Sequence, residues 1–167
     1  IALNDALKSK LSKIEVAQIA HDVEIECKTG LGDVLASYYG GFEIRDKPGA
    51  PGIGHVQKIN LNKISIIMIC FSPISTSKFI KERLSQINGL GGKMVNELLE
   101  SKNYEHFQEM SLEFAKYVDV MTPRMQKVVN ELSKNNIKCG IALFGETIFS
   151  MIPEKSEKKV LEILEKY

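Results

Sequence analysis

The chain has 167 residues, of which 44% are hydrophobic and 26% charged, and its formal net charge at pH 7 is +1. This composition is typical of a globular protein that buries a core, and the balanced charge gives no reason to expect nucleic acid or an anionic membrane as a partner. The most apolar run, residues 64–71, is too short to span a bilayer and predicts a buried strand.

The cysteines are odd in number and form no Cys-x-x-Cys pair, and no signal-peptide pattern opens the chain. We therefore expect reduced thiols, buried or half-buried, in a cytoplasmic protein. The three cysteines are Cys27, Cys70 and Cys139.

The first sixty residues predict helices followed by a hairpin. Leucines at four-residue spacing indicate a helix over residues 2–11. Ser12, with Glu15 three residues later, forms a capping box that begins a second helix. The side chains expected to face the core from this helix are Ile14, Ala17, Ile19, Ala20, Val23 and Cys27.

Asp33 follows a Gly-x-Gly turn and is expected to start a short helix at residues 33–39. Strands are predicted at residues 42–45 and 56–59, on either side of a loop rich in glycine and proline. Seven of the twelve glycines lie between Gly30 and Gly54, so the demands on backbone geometry are greatest there.

Beyond a hinge at residues 61–63, the pattern predicts an α+β domain with its helices on one face of a sheet. Thr122 as N-cap and Pro123 as first helical residue mark one helix start clearly. The glycines of residues 89–92 predict a break between two helices. The expected elements are a strand at 64–70, helices at 75–86, 94–101, 104–118 and 123–134, strands at 138–143 and 147–152, and a helix at 154–167.

A carboxylate held at a glycine turn is positioned rather than merely solvated. Asp33 therefore suits a catalytic base that faces a small hydroxylated substrate, and Arg45, twelve residues on, is available for an anionic group. The simpler interpretation of Asp33 is a helix N-cap, and that of Arg45 is a surface salt bridge to Asp46 or Glu43. His21 and Glu24 project from one face of the second helix because they are three residues apart.

An ordered set of motifs resembles the archaeal pantoate kinases, of the superfamily of galactokinase, homoserine kinase, mevalonate kinase and phosphomevalonate kinase. The most specific part runs from Gly-Leu-Gly-Asp at residues 30–33, through Gly40-Gly41 and Arg45, to Pro-Gly-Ala-Pro-Gly at residues 48–52. His-Asp-Val-Glu at residues 21–24 and Leu-Phe-Gly-Glu at residues 143–146 also fit.

The resemblance implies a kinase that uses ATP and Mg²⁺ to phosphorylate pantoate, toward coenzyme A. It implies a fold in which residues 1–62 are the C-terminal half of a catalytic domain resembling domain 2 of ribosomal protein S5. Residues 63–167 would form a ferredoxin-like α+β domain. The chain starts without methionine, within a helical pattern. We therefore expect a trimmed chain, with the phosphate-binding loop upstream of Ile1.

The resemblance also gives roles to individual residues. Asp33 would be the general base and Glu24 the Mg²⁺ ligand, whose plain alternative is a solvated helix glutamate. Arg45, His21 and Thr76 would contact a pantoate-like hydroxy acid. Plain alternatives for the last two are a satisfied, partly buried histidine and a helix cap.

Two further hypotheses stay open from the sequence. One keeps the superfamily and changes the substrate to mevalonate, homoserine or a sugar. The other makes the chain a non-catalytic fragment, because the phosphate loop is absent from it. The surface that missing strands would cover would then be an apolar patch with an unpaired sheet edge, which favours association, including homo-oligomers.

Overall fold

The computed structural model describes residues 2–27, 32–73, 76–143 and 145–167, without the side chains of residues 76–80. The chain divides into two compact units, Ile1–Asn60 and Leu61–Tyr167. Both combine helices with an antiparallel sheet, so the architecture is mixed α and β. In the part of the chain described, no helix is both long and apolar enough to cross a membrane.

The described residues of the first unit, which we call unit 1, form three helices and a hairpin. Their bounds are α1 (Ala2–Ala6), α2 (Lys13–Cys27), α3 (Asp33–Tyr39), β1 (Phe42–Lys47) and β2 (His55–Ile59). The predicted capping box is confirmed: the Ser12 N–H donates to Glu15 Oε2 at 2.7 Å, and the Glu15 N–H donates to Ser12 Oγ at 3.3 Å. The first helix ends at Ala6, earlier than predicted, and Lys8 just beyond it has a φ of 52°.

The predicted inner face of α2 is partly wrong. Ala17 is buried and Ile14 half-buried, as expected, but Ile19, Ala20, Val23 and Cys27 are exposed. The stripe that continues inward from Ala17 carries His21 and Glu24 instead. A helix turns 100° per residue, so positions i+4 and i+7 share the face of position i. The inner face of α2 therefore includes polar side chains. The prediction was wrong because it assigned the inner face from hydrophobicity alone.

The second unit, unit 2, begins with one long strand and ends with a short helix. Its elements are β3 (Ile64–Pro73), α4 (Thr76–Ser101), α5 (Tyr104–Tyr117), α6 (Pro123–Lys134), β4 (Gly140–Ala142), β5 (Gly145–Pro153), a 3₁₀ turn (Glu154–Ser156) and α7 (Glu157–Leu164). The strand order is β3-β5-β4, with both pairs antiparallel. The buried side chains of α6, at i, i+3, i+4 and i+7, are Met125, Val128, Val129 and Leu132.

The predicted break at residues 89–92 is wrong, since α4 continues through these glycines as a helix. The irregularity lies earlier, at Arg83, where φ is −129° and the helix kinks. A Cβ at Gly91 would lie 3.7 Å from the Phe114 ring of α5. This packing between α4 and α5 stabilises a helix that glycine disfavours when considered alone.

The N-terminus of α6 forms as predicted. Thr122 is the N-cap, and its Oγ1 accepts from the Met125 N–H at 3.2 Å, with Pro123 as first helical residue. The same hydroxyl donates to Glu146, and Ser72 donates to the other carboxylate oxygen. These two hydrogen bonds lower the pKa of Glu146 below its ordinary value.

One edge of the three-stranded sheet is closed by side chains of α5. Ser111 exchanges hydrogen bonds with both backbone groups of Ile141 in β4. Beyond the end of β4, the fully buried amide of Gln108 donates to the Met151 carbonyl at 3.1 Å and accepts from its N–H at 2.7 Å. Two polar side chains thus satisfy edge groups that another strand would otherwise pair.

The cysteines are free thiols, but only one lies where it was expected. Cys139 is buried, and loss of solvation raises its pKa to about 11, which makes it an unreactive thiol. Cys27 and Cys70 are exposed, contrary to the prediction of buried or half-buried side chains.

Candidate active site

The predicted site residues of unit 1 lie on α2, α3 and β1. His21 and Glu24 are brought together on one face of α2, which packs against α3. Asp33 opens α3, and Arg45 lies on β1. Two sequence predictions concern positions outside the described residues: the Gly-x-Gly turn before Gly32, and the side chain of Thr76 at the start of α4.

His21 is buried, with 5% of its surface exposed, and its Nδ1 atom has no hydrogen-bond partner among the described residues. Within the described residues this nitrogen therefore lacks the hydrogen bond that a satisfied core histidine would have. An unpaired buried nitrogen is costly unless a ligand, water or further protein satisfies it.

Glu24 is half-buried, and its Oε2 atom also lies buried without a hydrogen-bond partner in the described part of the chain. This differs from a solvated glutamate on an exposed helix face. The described residues contain no cluster of three or more His, Cys, Asp or Glu that could hold a metal. A lone carboxylate still suits Mg²⁺, which takes one or two protein carboxylates and fills its other positions with phosphate oxygens and water.

Asp33 is exposed and is the first residue of α3. The N-cap is Gly32, so the simpler interpretation of Asp33 as the cap itself is wrong. A carboxylate in the first helical turn is favoured by the partial positive charge of the N-terminus. Its side chain is accessible to a substrate.

Arg45 lies on β1, opposite Val56 of β2, and its Nη2 donates to the carbonyl of Gly49 at 3.4 Å. Asp46, which the sequence suggested as a salt-bridge partner of Arg45, accepts from Gln57 at 3.0 Å and from His55 at 2.6 Å. These hydrogen bonds lower the pKa of Asp46. One donor of the guanidinium is thus anchored to the loop after β1.

Glu43 lies two residues before Arg45, and the alternation of a strand places both on the same face of β1. Its Oε2 is buried without a hydrogen-bond partner among the described residues, and desolvation raises the pKa of this carboxyl against the opposing effect of Lys58 across the hairpin. The sequence suggested Glu43 only as a salt-bridge partner. The sequence signal that Glu43 lies beside Arg45 is their two-residue spacing on a predicted strand.

A loop from Pro48 to Gly54, the 48–54 loop, connects the two strands and contacts both helices that carry site residues. Its Pro51 carbonyl accepts from Gln18 Nε2 of α2 at 2.9 Å, and its Gly52 N–H donates to the Tyr39 hydroxyl of α3 at 3.4 Å. Arg45 is tied to the same loop through Gly49. Sequence reasoning identified the loop but not Gln18.

Comparison with known proteins agrees with the resemblance carried by these residues. Residues 1–41 match the family profile described as the GHMP kinases N terminal domain. The chain is 33% identical to the pantoate kinase of Methanocaldococcus jannaschii over 156 residues, which is 89% of this chain and 55% of the relative. Pantoate kinase from Thermococcus kodakarensis is 26% identical, over 90% of this chain and 51% of the relative.

A third relative, pantoate kinase from Methanospirillum hungatei, is 28% identical over 90% of this chain and 50% of its own length. A solved structure described as a phosphotransferase related to the CoA biosynthesis pathway superposes with a TM-score of 0.85 at 25% identity. It covers 96% of this chain and 54% of that one. The predicted resemblance is therefore confirmed, and the chain spans about half the length of the curated relatives it matches.

Proposed function

We propose that the protein containing this chain transfers the γ-phosphoryl group of ATP to the primary hydroxyl of pantoate, a step in the synthesis of coenzyme A. The observation that carries this proposal is the inward face of α2, where His21 and Glu24 hold buried polar atoms without hydrogen-bond partners among the described residues. The similarity to three pantoate kinases extends over about nine tenths of the chain. It supports the substrate and Mg²⁺ as the groups that these polar atoms bind.

Asp33 acts as the general base. Its carboxylate takes the proton of the substrate hydroxyl as the hydroxyl oxygen bonds to the γ-phosphorus, and the bond from that phosphorus to the bridging oxygen breaks to release ADP. Phosphoryl transfer depends mainly on positioning and charge stabilisation, so one accessible carboxylate beside the hydroxyl is sufficient. The exposure of Asp33 at the start of α3 suits this role.

Arg45 binds the substrate carboxylate, because guanidinium pairs with carboxylate in bidentate geometry. Its hydrogen bond to Gly49 limits the directions that its remaining donors take. His21 offers a ring nitrogen to a substrate oxygen. We also propose that Thr76 contacts the substrate. This assignment rests on the resemblance, because the Thr76 side chain is outside the described residues.

Glu24 is the residue that would hold Mg²⁺, and its unpaired Oε2 fits a cation ligand. When bound, the ion neutralises phosphate charge and orients the phosphates of the nucleotide. We assign no ATP contact to the described residues of this chain. In finer detail, we propose that unit 1 is part of an S5-like catalytic domain and unit 2 a ferredoxin-like domain, with the boundary at residues 62–63.

The decisive experiment is a substrate panel on the full-length protein, with ADP release as readout and ³¹P NMR to locate the new phosphate ester. Pantoate, mevalonate, homoserine and galactose are compared with ATP and Mg²⁺ in excess. We expect turnover with pantoate and phosphate on its primary hydroxyl. Turnover with another alcohol alone would reassign the substrate within the superfamily, and no turnover with any alcohol would contradict a kinase.

Pantoamide is a matched control for the Arg45 assignment, because it keeps the hydroxyl and removes the negative charge. We expect its KM to exceed that of pantoate in the wild type, and the difference to shrink in Arg45→Met. Equal KM values for the two compounds in the wild type would contradict recognition of the carboxylate by this residue.

A further inference from the structure

The side chain of Gln18 lies on α2 at the edge of the face that carries the two proposed site residues, and the reaction gives it no role. It is three residues before His21 and six before Glu24, so the three side chains follow one another along the helix. Gln18 is half-buried, and its amide nitrogen donates to the Pro51 carbonyl at 2.9 Å. Thirty-three residues separate the two partners.

The Pro51 carbonyl, which accepts this hydrogen bond, belongs to a tight turn. Pro51 is fully buried, and the N–H groups of Ile53 and Gly54 both donate to the Ala50 carbonyl at 2.9 Å, which closes the turn. Gly49 has a φ of +138°, and a Cβ there would lie 2.7 Å from the Gly54 nitrogen. The loop is thus a tightly folded turn with little freedom to follow a moving partner.

The same loop lies against α2 at a second point. A Cβ at Gly52, where φ is +83°, would lie 2.4 Å from the Cδ1 atom of Ile14. Ile14 and Gln18 are successive residues of one helix face, so the loop contacts α2 over one turn. The loop therefore contacts α2 at two positions one helical turn apart.

On its other side the loop holds Arg45 through the Gly49 carbonyl. The loop therefore joins the helix that carries His21 and Glu24 to the strand that carries Arg45. We propose that Gln18 is a positioning residue: through Pro51 it sets the rotation of α2 relative to β1, and hence where His21 stands with respect to the carboxylate-binding guanidinium. The expected effect on the KM for pantoate rests on the proposed function.

The test substitutes Gln18→Met in the full-length protein, which keeps the length of the side chain and removes the donor. Gln126→Met is the matched control, since the Gln126 amide hydrogen-bonds only to the exposed Asn130 side chain of α6 in the described contacts. We expect the KM for pantoate to rise about tenfold in Gln18→Met, the scale of one neutral hydrogen bond. The KM for ATP should stay within about twofold, because this contact concerns the hydroxy-acid side.

A second readout does not depend on activity. The chain has three histidines, and the ring signals of His21 and His106 can be assigned by substitution in NMR spectra. We expect Gln18→Met to shift the His21 signal and leave that of His106 in place, whereas Gln126→Met should shift neither.

The outcomes separate the two proposals. An unshifted His21 signal, or a lower melting temperature with both KM values unchanged, would overturn the positioning role and reduce Gln18 to a structural contact. A shifted His21 signal in a protein that phosphorylates no pantoate would retain the positioning of α2 and refute the proposed substrate.

Discussion

The two units bury different kinds of atoms. Of the four buried side-chain polar atoms without partners in the described residues, three belong to unit 1, namely His21 Nδ1, Glu24 Oε2 and Glu43 Oε2. Unit 2 is larger and contributes only Ser150 Oγ. Its other buried polar side chains, such as Gln108 and Glu146, are hydrogen-bonded. Among the described residues, most of the buried polar atoms without a partner therefore lie in unit 1, and unit 2 has one.

The buried apolar side chains are divided in a similar way, although both units expose some apolar residues. In β3 the prediction of a buried strand is wrong for Ile66 and Met68, which are 60% and 62% exposed. On α2, Ile19 and Val23 are 51% and 50% exposed, and the leucines at positions 3 and 7 are more exposed still. In unit 2 the inner faces of α5, α6 and α7 enclose a continuous core beside β5. Most of the buried apolar side chains lie in unit 2, so we expect unit 2 to contribute most of the stability of the chain. The candidate site residues whose side chains are described lie in unit 1.

The largest expected effect is on catalysis and comes from unit 1. Asp33→Asn in the full-length protein should lower kcat by about 10²–10⁴-fold, the usual worth of a positioned base. The melting temperature should fall only slightly, because Asp33 is exposed, Gly32 provides the N-cap position, and only the favourable interaction of the charge with the helix N-terminus is lost. Steady-state kinetics and thermal unfolding on the same sample measure both. Turnover close to wild type would remove Asp33 from the mechanism.

The next effect is on stability and comes from unit 2. Leu132→Ala should lower the free energy of unfolding by about 2–5 kcal/mol, because Leu132 is fully buried on α6 and its loss leaves a cavity. Urea denaturation measures the change. Leu161→Ala, on the exposed side of α7, is the control and should cost much less. Equal losses for the two variants would contradict the location of the core.

Glycine substitutions should act with opposite signs in the two units. Gly92→Ala should stabilise by about 1 kcal/mol, because it is an interior position of α4 where a Cβ meets no atom within 4 Å. Gly49→Ala should destabilise by more than about 1 kcal/mol, because its φ is positive and a Cβ would clash with backbone. Denaturation midpoints of both variants test this. A stabilising Gly49→Ala would show that the 48–54 loop is looser than described.

The smallest effect is a dependence of stability on pH through Glu146. Hydrogen bonds from Ser72 and Thr122 lower its pKa in the folded state, so the unfolded chain takes up this proton first as the solution is acidified. The stabilisation is present above the unfolded pKa and is lost as the pH falls through the folded one. Melting temperatures between pH 3 and 7 should therefore depend less on pH in Glu146→Gln. An unchanged dependence would contradict the contribution of this carboxylate.

Local signals in the sequence predicted much of the fold. The capping box at Ser12, the start of α3 at Asp33 and the start of α6 at Thr122 all depend on neighbouring residues, and all are found. The continuity of α4 could not be predicted, because it depends on Gly91 packing against Phe114 from another helix. Local propensity favours a break there, and the tertiary contact overrides it.

Only part of the candidate site could be predicted from the sequence. The spacing of His21 and Glu24 predicted their shared face, but not that this face would be the buried one. A helix that turns apolar side chains outward violates the usual pattern, and such violations are expected at functional sites. Gln18 could not be found, because its hydrogen bond joins residues far apart in the chain.

The side chains of α5 that close one sheet edge also decide how this sheet can grow. Ser111 and Gln108 already occupy the hydrogen-bonding positions that an incoming strand would need beside β4 and β5. The outer edge of β3 pairs with no strand in the described part of the chain. Backbone pairing with a further strand is therefore blocked on the β4 side, and among the described residues the outer edge of β3 is the one left open to it.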